Sequence, residues 1–423
     1  GMCLDPARVE EEYVKARTQK AELDEQLKAI AGGTNLKSPK QLAALFYDTL
    51  NLPEKVDRKG MPIRSGAGGR KTDKATVAWL QTQAKTPEQK AFFTTLAEHA
   101  KVSALLSKNL EFFHGVVTER PGAIFHGTFT QHVTATHRLS GQGRPQEFRA
   151  FPGAKSVQFQ NMPRRLKRVF TARDSDYVMV EADGSQLEFR VAAFLGQDRQ
   201  AMADIVDPRF DAHVTSASHM FQRDYDELLD AYRGGDKAAS ALRTAAKSET
   251  FKPLYGGSKG TEEQERWYTA FRERYAELYA TQESWLDEVL ASSDGALRTD
   301  WGMTFYWDYT LESRQNGRTT IALDRATKRP IKQSVFNYPV QSLATAEIIP
   351  IALTALFRRC KRRGLRVLFV NTVHDSVVCE VHKEDIEAFI EEVKPAFTTD
   401  VFKYLERYYK LNFNVPLGCE VKW

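Results

Sequence analysis

The residues best placed to do chemistry are two aspartates at the ends of apolar, β-rich segments. "YVMVEAD" (177–183) runs into Asp183. "RVLFVNTVHDSVVCEV" (366–381) carries His374 and Asp375 between two stretches of strand-forming residues. If these distant segments pair in one sheet, both carboxylates converge at one end of it. Carboxylates held together repel one another and call for a cation. Oxygen ligands of this kind suit Mg²⁺ or Mn²⁺ better than zinc. Two such ions roughly 4 Å apart activate a 3′-hydroxyl and stabilise a departing pyrophosphate. Glu181 and Glu380 are further candidate ligands, and strand alternation puts Glu181 on the same face as Asp183. The alternative is structural: Asp183 caps a turn and Asp375 belongs to an ordinary hairpin.

A second constellation lies in "ALRTAAKSETFKPLYGG" (241–257). Arg243, Lys247, Phe251 and Tyr255 follow one another at four-residue spacing, which forms a slowly drifting stripe on a helix. Two cations followed by two rings fit a nucleoside triphosphate, phosphates on the cations and base against the rings. No GxxxxGK[ST] loop is present, so this is not a P-loop. Pro253 removes the amide that would bond to Glu249 and is expected to distort the last turn. His213, in "FDAHVTSASHMF", opens another helix and can add a donor at the phosphate end. The alternatives are an amphipathic helix with core aromatics and a half-buried structural histidine.

The elements that must position these groups are legible in outline. Residues 9–31 read as a long polar helix, followed by a helix capped by Ser38 with Pro39 in its first turn. "DRKGMPIRSGAGGRKTD" (57–73) reads as a mobile loop with few apolar anchors. Helices are predicted at 73–84 and 87–113. Past Gly122, "AIFHGTFTQH" and "SVQFQN" read as short extended segments. Residues 211–290 read as helical, and 340–363 as a helix despite Pro350. The order is helical arm, β-containing core, helical insertion, β-containing core.

The 423 residues suffice for two or three subdomains. With 42% hydrophobic and 27% charged residues, the chain reads as globular. No apolar run is expected to span a bilayer, and no signal peptide is visible. Four dispersed cysteines form neither a zinc pattern nor a disulfide framework, which favours a reducing compartment. A net charge of +5 permits a nucleic-acid partner without requiring one. Arg164, Arg165, Lys167 and Arg168 are candidates for a phosphate backbone. The run Arg358, Arg359, Lys361, Arg362, Arg363 and Arg366 either contacts DNA or complements a helix end.

Taken in order, these pieces resemble the family A (DNA polymerase I-like) DNA polymerases, polymerase domain only. "DGSQLEFR" (183–190), "RTAAKSETFKPLYG" (243–256) and "VHDS" (373–376) resemble that family's three catalytic motifs. "THRLSG" (136–141) with "QNMP" (160–163), and "NYPVQ" (337–341), resemble its DNA-contacting segments; "GMCLDP" resembles the start of its thumb. The resemblance implies an α+β right hand with an antiparallel-sheet palm, helical fingers and a helical thumb. It divides the chain into thumb 1–113, palm 114–200, fingers 201–327 and palm 328–423.

The resemblance also assigns roles. Asp183 and Asp375 would hold two Mg²⁺ ions, with Mn²⁺ as a substitute. Arg243, Lys247 and His213 would meet the triphosphate, and Lys247 would protonate pyrophosphate. Phe251 would stack near base and sugar, Tyr255 would guard the template-base position, and Glu188 would exclude a ribose. Arg138, Asn337, Gln341 and His374 would contact the primer terminus or the minor-groove side, with Gln160, Asn161 and Arg164 along the backbone. The implied partners are primer-template DNA and dNTPs, for a monomer with a replisome or processivity partner left open. The implied setting is the cytoplasm or nucleoid of a bacterium or phage-infected cell, an organelle remaining open. With no room ahead of residue 1 for an exonuclease, the chain is expected to lack proofreading.

Departures stand out. Ser376 replaces the family's usual Glu after His-Asp, Gly184 its Tyr, Lys252 its Gly, and Gln333 an Arg. "DGS" and "HDS" also occur in single-subunit phage-type RNA polymerases, which share the hand; Glu188, Phe251 and the thumb-like start weigh against that reading. An inactive DNA-binding clamp and a two-metal nuclease are further alternatives. Retention of both aspartates weighs against the first and the triphosphate-like stripe against the second.

Overall fold

Strand Tyr177–Gly184 lies between the predicted hairpin and the C-terminal strand in one four-stranded antiparallel sheet. The order is Val367–Val373, Ser376–His382, Tyr177–Gly184, Cys419–Lys422. The register sets Ser376 opposite Asp183, Val378 opposite Glu181, and Glu380 opposite Met179. Alternation explains the packing: Val180, Ala182, Val377, Cys379 and Val381 point to one face and are buried in the main core. Met179 and Val378, on the opposite face, pack against a second core that includes the long N-terminal helix. This computed structural model describes residues 1–36, 38–57, 60–66, 68–142, 159–314 and 319–423.

The N-terminal part is helical, as expected. Helix Pro6–Ala31 starts at Asp5, whose carboxylate accepts the Arg8 amide, and stops at Gly32 in the left-handed region. Ser38 caps Pro39–Ala44. Thr86 and Gln89 form a reciprocal capping box at the start of Pro87–Leu105. That helical run continues through a π-helical turn into Glu111–Glu119, beyond the predicted end at 113. The 57–73 segment makes exposed ion pairs with its flank. Arg70 pairs with Asp48 at 2.5 Å and lies over the Tyr47 ring, and Arg64 pairs with Glu54 at 2.7 Å. These contacts anchor the described residues of the segment; 58, 59 and 67 lie outside them. Of "SVQFQN", residues 156–158 lie outside the described set and Phe159–Asn161 form a 3₁₀ turn, not a strand.

The insertion is helical from Ala212–Phe221 to Ala276–Ala291. It meets the sheet through Leu187–Gly196, where a Cβ on Gly196 would come within 2.7 Å of the Leu278 Cα; only glycine permits that crossing. The predicted helix at 340–363 is part of a longer one, Lys332–Arg363. Its π-helical turn Ser342–Ile348 widens the backbone just ahead of Pro350, relieving the clash between the ring and the preceding turn. Contrary to the sequence reading, this helix is apolar and long enough to cross a bilayer. Half of its most apolar window is buried inside the protein, the behaviour of a core helix. All four cysteines are free.

Glu380 is not near the carboxylate pair. It is fully buried four residues along the strand, where Arg173 Nε donates to Oε2 at 2.8 Å. Removing one partner of a buried ion pair strands the other charge, at a cost of about 3–5 kcal/mol. Arg173→Ala is therefore expected to lower the midpoint of urea denaturation. An unchanged midpoint would show that Glu380 does not depend on this pairing.

Candidate active site

The sheet register brings the two aspartates together. Asp183 ends its strand opposite Ser376, and Asp375 precedes Ser376 in the hairpin turn. His374 makes the turn tight by adopting a positive φ of 59°. The Gly184 amide donates to the Asp375 carbonyl at 2.9 Å and ties the turn to the end of the central strand. A Cβ on Gly184 would sit 3.4 Å from that oxygen, so the small residue suits the close approach.

Electrostatics mark the pair as strained toward a cation. Burial, then Asp375 and Glu181, push the Asp183 carboxyl up to about 6. Burial also raises Asp375, against the pull of Arg138. Among the described residues no three His, Cys, Asp or Glu side chains gather as a metal-holding group. Two carboxylates are a sufficient protein contribution for Mg²⁺, which keeps several waters and takes substrate phosphate oxygens. The donor set thus fits the implied ion.

This shift has a testable sign. An ion competes with the proton on Asp183, so binding should strengthen as pH rises through about 6. In the ion-free protein the raised pKa favours the folded state at low pH, and that contribution is lost as pH rises from the unfolded value through about 6. Mn²⁺ titrations at pH 5 and pH 7.5 check this: about tenfold weaker binding per pH unit is expected below the transition. Equal affinity at both values would contradict it.

The cation–aromatic segment differs from the predicted continuous helix. Helix Lys237–Ala246 ends before Lys247, and Pro253–Tyr255 is a 3₁₀ turn. Amides of Lys247, Glu249 and Lys252 bond to carbonyls three residues back. Such tight turns rotate residues four apart away from one face. The effect of Pro253 reaches further than one turn because Trp267 Nε1 captures the Glu249 and Thr250 carbonyls, both at 3.2 Å. Lys247 is exposed, whereas Phe251 is half-buried, 5.6 Å from the Phe189 ring. Arg243 pairs with Asp211 at 2.9 Å and lies 4.7 Å from the Tyr232 ring centre.

His213 does face this segment: its Nδ1 is 2.9 Å from Thr250 Oγ1, and its ring is 6.2 Å from Phe251. Burial and Arg243 lower its pKa, favouring neutral imidazole. Lys252 bonds to buried Glu249 at 2.7 Å, so its charge is matched rather than presented free. Neither Glu249 nor its second partner Tyr268 was singled out from the sequence.

Tyr255 donates to Glu188 Oε2, joining the end of the cation–aromatic segment to the first turn of helix Leu187–Gly196. Burial and Glu188 hold the Tyr255 hydroxyl firmly protonated. Tyr255 lines a cavity of about 670 Å³ with Lys252, Lys259, Gln333, Asn337 and Gln341. Among the described residues, buried Arg138 Nε and Asn337 Oδ1 have no hydrogen-bond partner. Gln341 accepts from Thr136 at 2.9 Å. Burial and Arg138 lower the His374 pKa.

The remaining basic candidates divide. Gln160 turns inward and accepts the Gly141 amide at 2.7 Å, while Asn161 and Arg164 are exposed. Arg165 pairs with Glu12, Lys167 with Glu181, and Arg168 with Glu11. In the later run, Arg359 pairs with Asp400, Arg363 with Glu391, and Arg366 with Asp385. Arg359 and Arg363 fasten the last helices to helix Ile349–Arg363, and Arg366 ties the start of strand Val367–Val373 to Asp385.

A four-stranded antiparallel sheet bearing paired carboxylates, with one helical arm before it and a helical insertion within it, is the right-hand polymerase arrangement. The POL domain of Pol1 from M. smegmatis, solved in complex with DNA primer-template and dNTP, has the same fold at a TM-score of 0.71 and 23% identity, over 100% of this chain and 66% of that one. The model of DNA polymerase family A matches residues 7–423, and the chain belongs to that family. Among its relatives are DNA polymerase I of Synechocystis, 27% identical over 84% of this chain, and DNA polymerase I of Pseudomonas aeruginosa, 27% identical over 87%. The chain spans only 34% and 37% of the lengths of those two relatives.

Proposed function

We propose that this chain extends a primer on a DNA template, adding dNTPs to the 3′ end by two-metal-ion nucleotidyl transfer. The observation that carries the reading is the convergence of Asp183 and Asp375 on paired strands, with the segment that bears Arg243, Lys247 and Phe251 joined to the helix after Asp183 through Phe251–Phe189 and Tyr255–Glu188. Family membership and the fold shared with a DNA- and dNTP-bound polymerase domain support it.

Asp183 and Asp375 would hold Mg²⁺, or Mn²⁺ in its place. When bound, the ions lower the pKa of the 3′-hydroxyl and offset charge on the leaving group. Lys247, Arg243 and neutral His213 bind the triphosphate, and Lys247 donates a proton to departing pyrophosphate. Phe251 packs against the incoming nucleoside. Glu188, held by Tyr255, fills the space beside the sugar C2′. Arg138 and Asn337 carry buried unpaired polar atoms that suit hydrogen bonds to a ligand, and with Gln341 and His374 they meet the primer terminus and minor-groove edge. Asn161 and Arg164 follow the backbone. The thumb is 1–113, the fingers 201–327, and the palm 114–200 with 328–423. Removal of mispaired nucleotides is not assigned to these residues.

Four primed templates differing only in the next template base provide the test. Each should accept its complementary dNTP and discriminate against the other three. Incorporation independent of the template base would overturn the reading.

A further inference from the structure

Ser376 is a departure that the proposed reaction leaves unused, and its surroundings give it a role. It is 2% exposed, at the end of the strand that pairs with Asp183. Its hydroxyl lies 2.9 Å from Glu181 Oε1 and 3.0 Å from the Val373 carbonyl. Glu181 shares the Asp183 face of the central strand, one step diagonal from Ser376. Lys167 Nζ reaches the same Oε1 at 3.4 Å. Both contacts therefore fall on one oxygen. Among the described residues, Oε2 makes no direct hydrogen bond.

A carboxylate fixed by a hydroxyl through one oxygen has its other oxygen oriented at little further entropic cost. The charge of Glu181 is felt by both Asp183 and Asp375. The three do not form a direct three-ligand group. Mg²⁺ keeps most of its waters, so a nearby carboxylate outside the direct ligands can still bind its hydration shell.

We infer that Glu181, oriented by Ser376, is the third carboxylate of the cation site, supplied from the central strand where the hairpin offers only a hydroxyl. Ser376 is a positioning residue, and Lys167 competes with the cation for the same charge. This inference rests on the assignment of Asp183 and Asp375 as direct ligands.

The test is Mn²⁺ binding by electron paramagnetic resonance, on the full chain without DNA or nucleotide. Glu181→Gln should weaken binding on the order of 10-fold and Ser376→Ala by less. The double variant should be no weaker than Glu181→Gln alone, because the serine acts through the glutamate. Ser376→Thr should retain binding, and Lys167→Gln should leave it equal or tighter. Thermal melts of each variant separate misfolding from lost affinity. Asp183→Asn distinguishes the two levels of the argument. If it weakens Mn²⁺ binding but Glu181→Gln does not, the inference fails and the direct pair stands. If Asp183→Asn has no effect, the direct pair itself fails. If Lys167→Gln weakens binding as much as Glu181→Gln, Glu181 serves the local ion pair and not the cation.

Discussion

Asp375→Ala is expected to lose primer extension by a factor on the order of 10³ or more while primer-template binding persists. The basis is the turn geometry. Asp375 projects from the hairpin beside the end of the Asp183 strand, and its carbonyl is already used by the Gly184 amide. The carboxylate accepts its own residue's amide, while the tie to Gly184 runs through the carbonyl and survives removal of the side chain. What is lost is half of the oxygen pair, and with it charge stabilisation worth several kcal/mol in the transition state. A deficit of about 4 kcal/mol corresponds to roughly a thousandfold. DNA affinity rests on groups elsewhere and should change little. Single-turnover extension alongside fluorescence-anisotropy titration separates the two quantities. Retained turnover, or lost binding with intact turnover at saturation, would contradict the assignment.

Glu188→Ala admits ribonucleotides, improving their use relative to dNTPs by on the order of 10²-fold. Glu188 lies in the first turn of the helix that follows the Asp183 strand. Tyr255 holds its carboxylate from across the cleft, so it forms a fixed wall rather than a free surface side chain. A wall fixed at both ends discriminates by shape because it cannot swing away from a 2′-hydroxyl. Tyr255→Phe removes the bond but keeps the ring, and should relax sugar discrimination by a smaller factor. The ratio of kcat/KM for matched dNTP and rNTP measures both effects. An unchanged ratio in Glu188→Ala would remove the residue from this role.

The catalytic sheet was legible in the sequence because its signals are local and of period two. Tyr177–Asp183 and the segment around His374 and Asp375 alternate or run apolar, and Asp183 and Asp375 stand where those patterns stop. Pairing of these strands was the condition under which the two carboxylates would converge, and the register meets it. Other features depend on partners that no local pattern reveals. The helix carrying Arg243 ends at Ala246, ahead of the Glu249 and Thr250 carbonyls that Pro253 leaves to the Trp267 indole. The basic run from Arg358 to Arg366 read either as a DNA contact or as a complement to a helix end; three of its members, Arg359, Arg363 and Arg366, are matched by Asp400, Glu391, Glu392, Glu384 and Asp385 on later segments. Glu380 looked like a spare ligand until Arg173 was found beside it. The link from Ser376 to Glu181 required the register itself, since the two residues lie on different strands.

The most direct test of the central claim is extension of a primed DNA template with Mg²⁺, using dNTPs and rNTPs in parallel reactions. The account predicts full-length, template-complementary product with dNTPs, little with rNTPs, and none with either when Asp183 is replaced by Asn. Efficient rNTP extension by the unaltered chain, or dNTP extension that survives Asp183→Asn, would contradict it.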